Sequence, residues 1–485
     1  MGRRVGENMV ERDVILYELN EVPWEIVDHY VAARPSSHLA GMLRTGRSMT
    51  TIDDDPVRLQ PWRTWPTLHT SMYTDGHNSF DLGQDPTTFR GAALWDVVEA
   101  AGMAVGLLGP LQSWPPRPFA HGGFFVPDTF SRTPETCPAG LERFQRFNLA
   151  MTKENSFSSN VAPSPTEMVA VGLDLLRRGL APSSVVTLVG QLLGEVRDNR
   201  YKGRRPAMQV VPSFDLFWKL HRRTKPRLSI FFTNHVAGMM HRYWGDWAPE
   251  YAEREGYQAD EVFAGFVTTA MDLFDRHLGR VLRYMNANPA TVLIIAASMG
   301  QGPIPYRHLD QTFVLERPDA LLAAMGLPAA EAGLAMYPRV SLKFDDEKAA
   351  HASLSALGSV VGTDSRAMFR DVTVHGRTVS LEIDYDHPGT KEDDELSLVA
   401  VDGTPGQFRP GDIGIAVRKR LGGGNTAYHV PEGMLLAYGS GLGPDRSRAL
   451  VSVLDVAPSV LVDLLDIDPA PSMQGKPGLF QGTTA

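Results

Sequence analysis

The run Thr291-Val292-Leu293-Ile294-Ile295-Ala296 continues without a break into Ala297-Ser298-Met299-Gly300-Gln301. A continuous stretch of aliphatic and β-branched residues is how a strand buried on both faces of a parallel sheet reads. In open α/β sheets the ligand site lies just beyond the carboxyl ends of such strands. The junction after Ala296 is therefore where chemistry is expected, yet it carries no charge. Metal ions are held by Asp, Glu, His or Cys, whereas Ser298 and Met299 offer a neutral oxygen and a soft thioether.

Working outward, four more short apolar runs stop abruptly at polar or small residues: Val14 to Tyr17, Ala104 to Leu108, Leu228 to Phe232 and Met434 to Ala437. Helical patterns lie between them, at Ala92 to Ala101, Val262 to Met285 and Leu454 to Leu465. Strands alternating with helices imply crossover units, and so an α/β fold whose mainly parallel sheet is covered by helices on both faces. Two segments interrupt the alternation. Residues 131–224 read as a helical insertion with Pro punctuation. Residues 342–421, with alternating strands around His375-Gly376 and an acidic loop from Lys391 to Glu395, read as a small α+β cap. The core is then expected in three parts, 1–130, 225–341 and 422–485.

A chain of 485 residues with 43% hydrophobic and 21% charged content has ample material for a large core. Its net charge of -9 argues against a nucleic-acid partner. One basic strip departs from that balance: Arg197 to Arg227 holds ten Lys and Arg residues against Asp198 and Asp215. It reads as a solvated face or as a docking strip for an anionic polymer or membrane surface. The single cysteine, Cys137, excludes an intramolecular disulfide. No apolar run approaches the roughly twenty residues that span a bilayer. These features lead us to expect a soluble cytoplasmic protein with no transmembrane segment; the oligomeric state is not legible.

The strand ends collect the chemistry. Glu18, Asn20 and Glu21 follow the first strand, and Arg63, Thr64 and His69 follow a Pro-rich stretch. Asn234, His235 and His241 follow the strand at Leu228. Ser298 follows the next, and His429 comes after Gly422-Gly423-Gly424. In a doubly wound sheet all of these converge on one edge.

Their order and spacing resemble the alkaline phosphatase superfamily, in particular its type I phosphodiesterase and nucleotide pyrophosphatase branch. The resemblance is carried by Leu94-Trp95-Asp96-Val97-Val98 through Gly102 and Gly106-Leu107-Leu108, by His429-Val430-Pro431-Glu432-Gly433 with Gly439-Ser440-Gly441, and by Val453 to Leu461 with Met473-Gln474-Gly475. It implies an alkaline phosphatase-like core. In that superfamily two metal ions held by Asp and His flank a Thr or Ser nucleophile and stabilise the attacking and leaving oxygens. Carried over, the nucleophile falls at Thr64 and the C-terminal His at His429. The Asp and His ligand positions fall at Asn20, at Asn234 and Gly238 (or Ala237 and His241), and at Ser298 and Met299. The resemblance therefore implies that the two-zinc site is absent. A single divalent ion, held by Glu21, His429 and either His241 or His235, stays open.

Other readings stand beside these. Thr64 reads equally as a helix cap, and Glu18 as a buried partner for Arg63. His429 reads also as a partner for Asn20. Trp62, Trp65, Trp244 and Trp247 read as packing or as the walls of a sugar cleft. Two functions follow. One is a hydrolase or transferase acting on a phosphoric or sulfuric ester, or on a glycan bearing an anionic group, with Thr64, Arg63 and His429 at its centre and Asn20, Glu21, His69, Asn234, His235, His241 and Ser298 around them. The other is a non-catalytic protein that binds an anion or glycan in the same cleft.

Overall fold

A computed structural model describes residues 11–55, 57–155, 165–306, 311–336, 338–384, 394–419 and 425–481. The run Gly422-Gly423-Gly424 and most of the acidic loop from Lys391 lie outside the described residues.

The central sheet has eight strands, β1 (Asp13–Leu19), β2 (Arg47–Ile52), β3 (Val105–Leu108), β4 (Gly123–Val126), β5 (Leu228–Thr233), β6 (Thr291–Ala296), β7 (Glu432–Gly439) and β8 (Asp445–Ser452), in the order β8-β2-β7-β6-β1-β5-β3-β4. All pairings are parallel except those of β7, which runs antiparallel between β6 and β2. The five apolar runs of the sequence are all strands of this sheet. β6 at its centre is buried along its whole length, which is why it reads as unbroken aliphatic residues.

The principal helices are α1 (Trp24–Ala33), α2 (His38–Thr45), α3 (Pro61–Thr70), α4 (Leu94–Ala100), α5 (Pro165–Arg178), α6 (Pro182–Arg197), α7 (Val210–Thr224), α8 (His235–Trp247) and α9 (Phe266–Ala287). They cover both faces of the sheet. Successive strand side chains point to opposite faces, so Ile15, Tyr17 and Leu19 join Phe214, Phe231 and Phe274 beneath α7, α8 and α9. Val14 and Leu16 join Trp65, Leu68, Leu94 and Leu461 on the other side.

Both insertions have different limits from those expected. α7 is a core crossover helix: Phe214 and Phe217 pack on Tyr17 and Phe231. The helical insertion therefore ends before Val210. The cap begins earlier than residue 342. Its own core includes Phe313, Leu321 and Met325, packed with Leu342, Val379 and Leu381 of a sheet built on strands Arg339–Lys343, Phe369–His375 and Thr378–Ile383. The expected hairpin at His375-Gly376 is present. No helix among the described residues is long and apolar enough to cross a membrane.

Candidate metal centre at the carboxyl edge of the sheet

Glu21 sits directly beyond β1 with a backbone φ of 59°, the left-handed region. A non-glycine residue held there costs of order 1 kcal/mol, and such strain persists where the surrounding structure fixes it. Here it turns a fully buried carboxylate toward two histidines. Nε2 of His241, on α8, lies 2.9 Å from Glu21 Oε2. Nε2 of His429, on the short strand Ala427–Val430, lies 3.5 Å from the same oxygen. The three ligand atoms all lie within 4.8 Å of one another.

The other nitrogen of each ring is committed. His241 Nδ1 is 3.0 Å from the Ala427 carbonyl, and His429 Nδ1 is 3.0 Å from the Leu59 carbonyl. A carbonyl only accepts, so each Nδ1 is the donor and each Nε2 presents a lone pair unless it takes a second proton. Histidines that bind metals are oriented in this way by backbone carbonyls. Ligand atoms about 2.0–2.2 Å from a tetrahedral zinc stand roughly 3.3 Å apart, close to the 2.9 and 3.5 Å at which the two imidazole nitrogens stand from Glu21. The side chains therefore fit one divalent ion. Glu21 Oε1 accepts from Asn20 Nδ2 at 2.7 Å, and Gln301 Nε2 donates to Oε2 and, at 3.2 Å, to the Ala237 carbonyl.

Electrostatics agree with the geometry. Burial alone would raise the Glu21 pKa, but the charges of His429 and His241 and their hydrogen bonds hold it well below the usual carboxylate range. Burial alone would lower that of His241, and the Glu21 carboxylate with the Ala427 carbonyl more than reverses this. His241 keeps 26% of its side-chain surface exposed against 2% for Glu21, so the trio meets solvent on the His241 side.

The remaining expected positions close on one another. Asn20 Nδ2 donates to Asn234 Oδ1 at 2.7 Å while Asn20 Oδ1 accepts from Trp65 Nε1 at 2.7 Å. Thr64 Oγ1 and Ser298 Oγ are 2.7 Å apart. Ser298 is pinned by its backbone: a Cβ on Gly433 would stand 2.7 Å from the Ala297 carbonyl and 2.8 Å from that of Met299. These neutral groups satisfy each other.

Several readings need correction. Thr64 does not cap α3: Gln60 is the N-cap, and Thr64 lies inside a helix whose ten residues are all buried. The amides of Arg63 and Thr64 both donate to the Gln60 carbonyl and Pro61 has no N–H, so the helix start offers no anion cradle at Thr64. Arg63 does not face the site; its guanidinium donates to the carbonyls of Phe80 and Arg58. Glu18 pairs not with Arg63 but with His69 Nε2 at 2.5 Å, in a buried contact beside Trp65 and Trp95. His429 meets Glu21 and Leu59 rather than Asn20.

His235 also lies apart, with Nδ1 at Thr233 Oγ1 and Nε2 at the Ala270 carbonyl, and burial pushes its pKa down to about 3. Trp62, Trp65 and Trp244 are buried packing residues. Trp247 instead lines a cavity of about 200 Å³ with His29, Tyr30 and Met271 between α1, α8 and α9.

Sequence reasoning passed over Gln301, quoted within the opening run but assigned no role, and the carbonyls of Leu59 and Ala427, which no residue-type signal marks. It also missed Asp53, buried at the end of β2 with one oxygen unpartnered and a pKa that burial raises to about 7. The loop that supplies Leu59 is tied to the cap. Arg58 pairs with Glu382 at 2.7 Å and donates to the Tyr428 hydroxyl at 3.2 Å, next to His429.

No protein-family profile and no curated protein matches the sequence. Among solved structures, the chain is similar to murine ectonucleotide pyrophosphatase/phosphodiesterase 5, solved as an inactive variant in complex with AMP, at 11% identity and a TM-score of 0.42 over 96% of this chain and 97% of that one. It is similar also to a variant of the alkaline phosphatase PafA, at 12% identity and a TM-score of 0.45 over 97% and 99%.

Proposed function

We propose that this protein is a hydrolase or transferase of phosphoric or sulfuric esters that works with one divalent ion held by Glu21, His241 and His429. The observation that carries the reading is the convergence of two Nε2 atoms on one strained, buried carboxylate while both Nδ1 atoms are occupied by carbonyls. Two His and one Glu make up a ligand set known from catalytic zinc sites, which keep a position open for substrate or water. An ion there supplies Lewis-acid polarisation of an ester oxygen. The chain's own groups do the rest. Glu21 supplies the negative charge, Asn20 and Gln301 hold its two oxygens, and the Leu59 and Ala427 carbonyls fix the tautomers. Thr64, oriented by Ser298, is the proposed nucleophile. The ester class rests on the sequence resemblance around Thr64 and His429.

A second reading, binding of an anionic or glycan ligand without turnover, is favoured by the mutual satisfaction of Asn20 with Asn234 and of Thr64 with Ser298. Metal analysis of untagged protein, with turnover assays on phosphodiesters, sulfate esters and nucleotide sugars, separates the two. One retained ion with turnover supports the enzyme, and one ion without turnover supports the binding protein. Protein that retains no ion after equilibration with Zn²⁺ or Mn²⁺ overturns the metal centre.

A further inference from the structure

Helix α6 carries aliphatic residues on both of its faces. Its inward side packs Leu188 on the core between polar positions: Ser184 and Gln191 are buried, Gln191 Nε2 donates to the Tyr201 carbonyl at 2.8 Å, and Glu195 pairs with Arg205 at 2.6 Å. Its outward side carries a row of exposed aliphatic residues. Val186, Val189, Leu193 and Val196 recur at helical spacing along one stripe, with Leu192 at its margin, and Val196 is 88% exposed. Leu173 and Leu176 of α5 are exposed as well. Soluble proteins scatter single exposed aliphatics but rarely align them, and an aligned set marks a surface that meets an apolar partner.

The charges around the stripe indicate which partner. Arg197 continues the line of Val186 and Leu193 at the carboxyl end of α6, and Arg177 stands beside Leu173 and Leu176 at the carboxyl end of α5; both are exposed. The acidic residues nearby are engaged, Asp174 with Arg178, Glu195 with Arg205 and Asp198 with Arg200. Neither Arg177 nor Arg197 has an acidic partner among the described residues. An aliphatic stripe with cations at its ends suits an anionic lipid surface, which accepts the side chains among its acyl chains and the arginines among its headgroups. A second copy of the same face would bring cations without free carboxylates to meet them. The chain's net charge of -9 turns its other faces away from such a surface.

We propose that the outward face of α6, with the adjoining end of α5, docks this protein peripherally on anionic membranes. Three cations of the basic strip Arg197 to Arg227 play no part in this, since Arg200, Arg205 and Arg227 are engaged in ion pairs.

The test is flotation of the full chain with vesicles of phosphatidylcholine alone or mixed with phosphatidylserine. Binding is expected to the mixed vesicles and to weaken with added salt. Val186→Ser with Leu193→Ser is expected to abolish it. Arg177→Gln with Arg197→Gln should lower it roughly thirtyfold on mixed vesicles, at about 1 kcal/mol for each cation near the surface. All four positions are exposed, so unchanged thermal melting of the variants verifies that folding is intact. Absence of vesicle binding, or binding that the serine variants leave unchanged, overturns the proposal. So does sedimentation of the wild type as a dimer that the serine variants dissociate, which would assign the face to a second copy.

Discussion

Thr64 Oγ1 and Ser298 Oγ share a hydrogen bond of 2.7 Å, with both residues buried. An acidic residue at position 298 would bring charge to this place. A serine orients the threonine hydroxyl and leaves it neutral, so any activation of Thr64 has to come from an ion or a substrate.

Thr64→Ala should abolish turnover of any ester the wild type hydrolyses while weakening ligand binding by no more than a neutral hydrogen bond, about 0.5–1.5 kcal/mol. Steady-state kinetics beside calorimetric titration of the ligand check both halves. Undiminished turnover in the variant would remove Thr64 as nucleophile.

Glu21→Gln keeps the shape of the side chain but removes the charge that faces two imidazoles and turns one accepting oxygen into a donor, opposed to Asn20 Nδ2 or Gln301 Nε2. It should lower divalent-ion affinity at least about a hundredfold, beyond the usual cost of disturbing an outer-shell partner. Competition against a chromophoric chelator measures the change. Gln301→Leu, which removes only a supporting donor, should cost about tenfold, and equal losses in the two variants would contradict the ligand assignment.

Asn20→Asp would place a second carboxylate beside Glu21 Oε1 and Asn234 Oδ1, both now 2.7 Å from its amide nitrogen. Without added metal this unpaired buried charge should destabilise the fold by about 3 kcal/mol or more. Divalent ions should restore much of the loss, because the new oxygen lies beside the proposed centre. Urea denaturation with and without Zn²⁺ gives both numbers. A variant as stable as wild type in chelator would show the site to be wetter than this arrangement allows.

Three core histidines should make the protein acid-sensitive. Burial lowers the pKa of His221 to about 4 and of His235 to about 3, and holds His277 well below the usual value. The unfolded chain takes up these protons from about pH 6.5 downward, so their contribution is complete above that pH. It is lost as pH falls toward 4 and below, where each tenfold difference in proton affinity between the folded and unfolded chain is worth about 1.4 kcal/mol. Denaturation midpoints at pH 7, 5 and 4 should decline steeply, and His221→Gln should flatten the decline. Midpoints unchanged from pH 7 to 4 would mean that these rings are protonated within the fold.

The sheet was legible because its central strands are buried on both faces and so read as uninterrupted aliphatic runs, β6 most plainly. β2, Arg-Ser-Met-Thr-Thr-Ile, carries polar residues at buried and half-buried positions, and the edge strand β8, Asp-Arg-Ser-Arg-Ala-Leu-Val-Ser, carries them along exposed stretches; neither gives such a signal. Among the site residues, Glu21, His241 and His429 could be gathered from their places after strands. The choice between His235 and His241 turns on rotation about α8: His235 points into α9 at Ala270, whereas His241, six residues on, faces Glu21. Arg63 misled because its type suggests an anion contact, while α3 is buried all round and turns that side chain to backbone carbonyls.

The antiparallel strand β7 enters the middle of the sheet, and the segment just before it carries His429 to a carboxylate at position 21. A fragment that stops before this segment therefore lacks one of the two histidines that face Glu21. In the proposed centre a bound ion would tie the first strand of the sheet to the antiparallel strand inserted two places away from it, so that chelation should loosen both together.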